Sequence, residues 1–411
     1  MRVAWINDKL EPSGGATKLL PAASRILAQH GHEVVPFLGL REDEGVAAEW
    51  LPLQPPEVGR RSALGIARRA WPDPVVSRSL ERFIRTVRPA VAIVQNVHQY
   101  LSLDVLRTLR GAEVPTVLLV NDHALYCVNK YGFRGGGPCH RCVDKRFVRG
   151  AVLNCSLKGF PLGLMESAVR ATALTAQWRQ PIWESVGSIY TNGTGMVDTL
   201  RALGADPDKI IEGVFPMEFE PAPETLAAEQ DPYLVYYGSS LPVKGVPVLL
   251  EALRHLAQPI RLRLYMLHPS PSLLAQVQEI RANTPHSIEV DEESRWTTGV
   301  RDAVARARAV VVPSAWHGPH ELVAYESMSL GRTIIASSGS GNADLLTPEE
   351  DGLVFPMNDS RALAEVIDRV WQDPGLADRL GSNARKTYEQ RLGPDRWYEA
   401  FMRAIAVAQA A

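Results

Sequence analysis

Residues 2–40 read RVAWINDKLEPSGGATKLLPAASRILAQHGHEVVPFLGL. Arg2 to Asn7 is a short β run, followed by a loop that carries Gly14-Gly15. A helix through Leu19, Ala23, Ile26 and Leu27 comes next and is closed by Gly31. Glu33 to Leu40 is then a second strand. Strand, glycine loop, helix, strand is one βαβ unit, and that crossover requires a parallel sheet. The rhythm continues with predicted strands at 91–95, 116–121 and 188–192, separated by segments of helix length. It resumes in the second half, with strands predicted at 233–239, 261–267, 287–290, 309–313 and 333–337. Helices are expected between them, near 247–256, 271–282, 301–307 and 322–330. Between the halves lies Phe215-Pro-Met-Glu-Phe-Glu-Pro-Ala-Pro-Glu224, whose prolines remove donors and disfavour helix, which suits a linker. The expectation is α/β: two Rossmann-like, doubly wound parallel-sheet domains facing across a cleft, with ligand at the carboxyl ends of both sheets.

Composition narrows the class. A chain of 411 residues is too long for one core, so two domains are expected. Hydrophobic residues at 45% and charged residues at 22% exclude a disordered or fibrous chain. Lys+Arg 44 against Asp+Glu 46 argues against a nucleic-acid footprint. No apolar run approaches the ~18 residues of a membrane span. The first residues read as a strand rather than a signal peptide. Four cysteines are no disulfide framework, which fits a reducing cytoplasm.

The sharpest segment for function is Val311-Val-Pro-Ser-Ala-Trp-His-Gly-Pro-His-Glu-Leu-Val-Ala-Tyr-Glu-Ser-Met-Ser-Leu-Gly331. A buried strand ends at Pro313-Ser314, and after a tight loop a helix starts near His320. The unpaired N–H groups and partial positive charge of a helix N-terminus suit a diphosphate. Glu326, about a turn and a half into the helix, is placed to accept from a pair of ribose hydroxyls. The same pattern also fits an ordinary strand–turn–helix with a surface glutamate. In Tyr236-Tyr-Gly-Ser-Ser-Leu-Pro-Val-Lys-Gly245, Lys244 follows the strand after a short loop and would set a point charge on a phosphate. A solvated lysine is the alternative there. Gly14-Gly15 would let backbone approach a ligand, but without the GxGxxG spacing of a bound NAD.

Together these segments resemble the retaining glycosyltransferases of family 4, which have the GT-B fold. The C-terminal motifs resemble that family's VGRLxPEKG and PSxxEPFGLxxxEAMAxGxPVIAS signatures, and GGATKLLPAASRILAQHGHEV resembles its GG…LAxxLxxxGHEV opening. In the middle, Gln95-Asn-Val-His-Gln-Tyr-Leu-Ser102 and Asn121-Asp-His-Ala-Leu-Tyr-Cys127 resemble a subgroup's HNxHxxLS and HDxxxxC, the latter followed by CxxC and one more cysteine. The resemblance implies sugar transfer from a nucleotide-diphosphate sugar to an acceptor hydroxyl on a polysaccharide, a glycolipid or a natural product. It implies retention of configuration and no catalytic cofactor. Residues 1–215 would form the acceptor domain, with a cysteine insertion at about 123–160. Residues 216–393 would form the donor domain, and 394–411 a helix crossing back.

By the same resemblance, Gly15 would approach donor phosphate or acceptor. Lys244 would bind the diphosphate with the amides near Leu322 and Val323, and Glu326 would hold the ribose. The sequence departs from the pattern in four places. The first glutamate of the family's E-x7-E pair falls on Gly318, its phosphate-binding arginine on Ser239, and two of its histidines on Asn121 and Gln95. His320 and Glu321 are close enough to replace the missing glutamate. Asn121, Asp122 and His123 stand at the reacting centre. Gly318, Ser239 and Asn121 motivate the rival reading of a non-catalytic GT-B scaffold protein. Another GT-B activity, such as nucleotide-sugar epimerisation, is a third.

Cys127, Cys139, Cys142 and Cys155 cluster within 29 residues around a CxxC. Four thiolates suit a closed structural zinc site, with free thiols or a redox disulfide as the alternatives. Arg60 to Arg88 holds eight arginines, and around 76–87 Val76, Leu80, Phe83 and Val87 oppose Arg78, Arg82 and Arg85. That pattern is a solvated helix face or, alternatively, a weak peripheral contact with an anionic acceptor or membrane. The expected location is cytoplasmic, with the inner face of the membrane as the alternative.

Overall fold

Six parallel strands build the first sheet: β1 (Arg2–Asn7), β2 (Glu33–Leu38), β3 (Val91–Gln95), β4 (Thr116–Val120), β5 (Ser188–Thr191) and β6 (Ile210–Glu212). Their order is β2-β1-β3-β4-β5-β6. Six more build the second: β7 (Leu234–Ser239), β8 (Arg261–Leu267), β9 (Ser287–Asp291), β10 (Ala309–Val312), β11 (Thr333–Ser337) and β12 (Leu353–Phe355), in the order β9-β8-β7-β10-β11-β12. This computed structural model describes residues 1–9, 18–40, 49–55, 73–98, 100–217, 219 and 232–411. Gly14, Gly15, the linker beyond 219 and the arginines from 60 to 69 therefore lie outside the described residues. The architecture is GT-B, two Rossmann-like sheets each flanked by helices.

The period of two decides which side chains meet which layer. In β1, Ala4 and Ile6 pack with Val76, Leu80 and Phe83 of the Pro74–Val87 helix. Val3 and Trp5 point the other way, toward the Leu19–Gln29 helix and the C-terminal Pro394–Ala410 helix. In the second sheet Leu234 and Tyr236 face one core, and Val235 and Tyr237 the other. Strands covered on both faces are apolar nearly throughout, as central parallel strands must be. Arg78, Arg82 and Arg85 stand in solvent, with Arg78 and Arg82 donating to the carbonyls of Pro74 and Pro52.

The order of strands reverses beside β1 in the first sheet and between β7 and β10 in the second, which opens a crevice at each point. The strands β6 and β12 were not among those expected, whereas the helix expected at 322–330 spans Leu322–Ser329, two residues past His320. Phe215 and Met217, expected in a linker, are packed into the second-domain core. Phe215 lies 5.4 Å from the Tyr325 ring.

The last helix leaves the second domain and covers the first sheet. Trp397, Phe401, Ala404 and Ile405 are buried there. Phe401 stacks on Trp397 at 4.6 Å and on Trp5 at 5.8 Å, and Ser188 Oγ donates to the Ala404 carbonyl at 2.7 Å. Among the described residues, no helix is long and apolar enough to cross a membrane.

Deleting the Phe401 ring leaves a cavity between helix and sheet. Phe401→Ala should cost about 3–5 kcal/mol in urea unfolding. A loss below ~1 kcal/mol would mean that the helix adds little to the first domain.

Candidate active site

The second-domain crevice is built by two loops pressed together. After β7 the chain runs through Ser239 to Lys244 and Gly245; after β10 it runs from Pro313 to Glu321. Ala315 N donates to the Val243 carbonyl at 2.8 Å. Gly245 has φ +71, and a Cβ there would lie 1.7 Å from the Pro313 carbonyl oxygen, so only glycine lets the loops meet. Lys244 Nζ reaches Glu321 Oε2 at 2.7 Å and lies 5.1 Å from the centre of the Trp316 ring. Glu321 also accepts from Ser314 Oγ at 2.5 Å and from the Trp316 indole at 3.3 Å. Burial pushes the Glu321 carboxyl up, but the Lys244 charge and these bonds outweigh it and hold it below its usual value.

Gly318 explains its own departure. A Cβ there would meet the Trp316 ring at 2.2 Å, so a glutamate is excluded while the indole keeps its place. A carboxylate is supplied three residues later by Glu321. Ser239, half-buried, brings no charge; its Oγ accepts from Leu241 N at 3.2 Å.

The Leu322–Ser329 helix starts beside the ion pair with no side-chain cap. Leu322 and Val323 occupy its first two positions, where backbone N–H groups have no intrahelical partner. Glu326 is 5% exposed. Burial raises its carboxyl to about 7, against the pull of Lys18 and the Tyr237 hydroxyl. Lys18 belongs to the first domain and is the first described residue after the Gly14-Gly15 loop, so the two domains meet electrostatically here. His320 has a different environment. Its Nδ1 lies 2.8 Å from the Tyr325 hydroxyl, Phe215 flanks it, and burial lowers it to about 3, so it stays neutral.

Asn121, Asp122 and His123 follow β4, and of the three His123 reaches the second domain. His123 is 1% exposed; its Nε2–H donates to the His317 carbonyl of the second domain at 2.9 Å, and its ring meets Trp316 edge-on. Burial pushes it down to about 3, and its buried Nδ1 has no partner among the described residues. Asn121 and Asp122 line a small cavity of about 30 Å³ with Asn96 and His98. Asp122 accepts from Ala124 N and lies 3.5 Å from His98, which burial keeps neutral. Burial raises the Asp122 carboxyl, with Lys130 opposing, and lowers Lys130 to about 8.

Asp8 was not anticipated. This buried carboxylate accepts from the backbone N–H groups of His98, Tyr100 and Leu101 at 2.9, 2.9 and 2.6 Å, which fixes the loop after β3. Its only sequence signal is an acid directly after the first strand. Gln95 is fully buried and accepts from the Trp5 indole at 2.9 Å. Two further contacts close the cleft. Asp344 caps the Thr194–Ala202 helix of the first domain by accepting from Thr194 N and Oγ1, and Asn358 Nδ2 donates to the Gly136 carbonyl.

Cys127, Cys139, Cys142 and Cys155 line one small cavity and are all unpaired in disulfide terms. Cys127 donates its S–H to Asn129 Oδ1 at 3.0 Å. Among the described residues, no group of three or more His, Cys, Asp or Glu is arranged to hold a metal ion.

Residues 219–387 match the family described as glycosyl transferases group 1. That stretch contains Ser239, Lys244, Glu321 and Glu326. The lipopolysaccharide core biosynthesis glycosyltransferase LpsD of Rhizobium meliloti is 30% identical over 115 residues, 27% of this chain and 33% of that protein. A D-inositol 3-phosphate glycosyltransferase of Streptomyces bingchenggensis is 28% identical over 219 residues, 48% of each chain. The chain thus spans no more than about half the length of these curated relatives. The crystal structure of Anabaena Alr3699/HepE in complex with UDP superposes with a TM-score of 0.64 over 99% of this chain and 100% of that one, at 13% identity, a likeness of fold.

If Glu321 is held ionised by Lys244, removing the cation strands a buried charge. Lys244→Met should destabilise the protein by about 3–5 kcal/mol, and the double variant Lys244→Met/Glu321→Gln should recover most of that in chemical denaturation. Equal losses in both would show that the pair is not coupled.

Proposed function

We propose that the chain is a nucleotide-sugar-dependent glycosyltransferase of the retaining, family 4 type. The observation that carries the reading is Glu326, a buried carboxylate raised to about 7 one turn inside an uncapped helix at the reversal point of the second sheet. A buried carboxyl of this kind is costly unless something donates to it, and paired ribose hydroxyls are two such donors. The exposed N–H groups of Leu322 and Val323 would take the diphosphate. The family match over 219–387 and the UDP held by the Anabaena protein support a nucleotide-diphosphate donor.

In this reading Lys244 exchanges Glu321 for the donor's phosphate, so that positive charge is present where the leaving group develops negative charge. Glu321, released by that exchange, is positioned to accept from a sugar hydroxyl in place of the glutamate that Gly318 lacks. His123 is too strongly held neutral to act as an acid. Its bare Nδ1 can accept a hydrogen bond from acceptor or sugar, while its Nε2–H keeps the domains together. No side chain is needed as a covalent nucleophile. The acceptor hydroxyl attacks on the face from which the diphosphate leaves, and the phosphate oxygen takes its proton. The contacts through His317, Asp344 and Asn358 close the cleft and exclude water, which favours transfer over hydrolysis. A structural zinc on the four thiols belongs to the same proposal: they line one cavity, and since they are not arranged as a ligand set in this structure, the metal would have to draw them together. It would pin the insertion without entering the transfer step.

A non-catalytic protein is the second reading, and one observation favours it. Lys244 is already neutralised by Glu321, and Ser239 adds no second cation. Titration calorimetry with UDP-, GDP-, ADP- and dTDP-sugars separates the cases. One nucleotide sugar should bind, about 10–100-fold more weakly to Glu326→Gln, and an acceptor should then release nucleotide with the anomeric configuration of the product retained. No binding across the panel would remove the donor site; binding without turnover on any acceptor would establish the non-catalytic reading.

A further inference from the structure

Nine large apolar side chains are exposed among the described residues, and seven of them fall between residues 148 and 165. Val148 and Val152 are 65% and 77% exposed, one turn apart on the same face of the Val148–Val152 helix. Phe160, at 79%, stands in the following loop, and Leu162, Leu164 and Met165 open the Leu162–Gln177 helix. That helix is inverted relative to an ordinary surface helix. Its buried positions include Gly163, Ser167 and Ala171, which are small, whereas its large residues at the start face solvent. A Cβ on Gly163 would lie 2.2 Å from the Lys158 carbonyl oxygen, so the small side is used for close packing. The large side is left without a partner. Patches of this kind mark an interaction surface.

Charge identifies the occupant. Between residues 139 and 166 the chain has Arg141, Lys145, Arg146, Arg149 and Lys158 against Asp144 and Glu166, although Lys+Arg 44 and Asp+Glu 46 nearly balance in the whole chain. Arg146 and Lys158 side chains are 73% and 63% exposed; Asp144 pairs with Arg146 and Arg149 and Glu166 with Lys158, which leaves the patch with a net excess of cations. Large apolar side chains ringed by cations are what an anionic bilayer surface takes up, the apolar groups entering the headgroup boundary and the cations meeting the lipid phosphates. We infer that residues 141–165 dock the protein on an anionic membrane surface. This patch is separate from the Arg60–Arg88 region, whose helix buries Val76, Leu80, Phe83 and Val87 in the core and whose arginines from 60 to 69 lie outside the described residues. The docking segment belongs to the insertion that also touches the second domain through Gly136 and His140. A docked molecule would therefore hold its cleft beside the bilayer. The inference does not depend on sugar transfer.

Vesicle flotation tests it, using phosphatidylcholine vesicles with and without about 30 mol% phosphatidylglycerol. Wild-type protein should float with the anionic vesicles and release at high salt. Val152→Asp/Phe160→Asp and Lys145→Glu/Arg146→Glu should each lower the bound fraction ~tenfold. Both pairs are on the surface, so melting temperature and nucleotide-sugar binding should be unchanged. Intact nucleotide-sugar binding without flotation would overturn the docking inference and leave the donor site standing. Equal flotation with neutral vesicles, or variants that float as wild type does, would overturn it too. Self-association in light scattering, abolished by Val152→Asp/Phe160→Asp and without flotation, would assign the patch to a second copy of the chain.

Discussion

The ion pair between Lys244 and Glu321 ties together the two loops from which the second-domain crevice is made. Both side chains are largely buried, at 19% and 9% exposure, so neither charge is tolerable without the other. Everything around the pair is shaped to keep it. Gly245 lets the loops touch, Trp316 lies over the lysine and donates to the glutamate, and Ser314 completes the carboxylate's partners. The Trp316 ring in turn fills the space over Gly318 and meets His123 and Tyr131 of the first domain. A substitution pattern that looks like damage to a familiar motif is, in three dimensions, a single unit in which indole, lysine and glutamate hold one another in place.

The same unit connects the crevice to domain closure. His123, Asp344 and Asn358 make polar contacts across the cleft, Lys18 faces Glu326, and the C-terminal helix fastens one domain's chain to the other's sheet. The helix contact is broad and apolar, whereas the cleft combines these polar bonds with a small apolar cluster in which Tyr131 and Phe133 pack on Val243 and Trp316. Hydrogen bonds exchange with water at little net cost, and buried aromatic packing does not. Parting the cleft would therefore have to break up the Trp316 cluster as well as the polar bonds.

The sheets were legible because central parallel strands are continuous apolar runs between turn signals, and ten of them sit where the runs are. β6 and β12 escaped because each has three residues, too few to show a period. The Leu322–Ser329 helix is buried nearly all round, with no polar face to phase it, and was placed by its position between two strands. Within the site, Lys244 and Glu326 announced themselves by position after a strand and inside a helix. The partnership of Lys244 with a glutamate 77 residues away did not. Asp8 was silent for the same reason, since its three donors come from a loop some 90 residues on. Gln95 looked like an altered site residue until its partner, Trp5, was seen on the opposite layer.

The central claim is that Glu326 receives the ribose of a nucleotide sugar. A carboxyl raised to about 7 is mostly protonated in the free protein below that pH. Hydroxyl donors favour its charged form, so they pull its pKa down and expel a proton on binding. Calorimetry of the bound nucleotide sugar in buffers of different ionisation enthalpy, at about pH 6 and again at about pH 8.5, measures that proton directly. The account predicts release of part of a proton at the lower pH, none at the higher, and none at either pH in Glu326→Gln. Binding with no proton release at the lower pH, or with the same release in the variant, would contradict it.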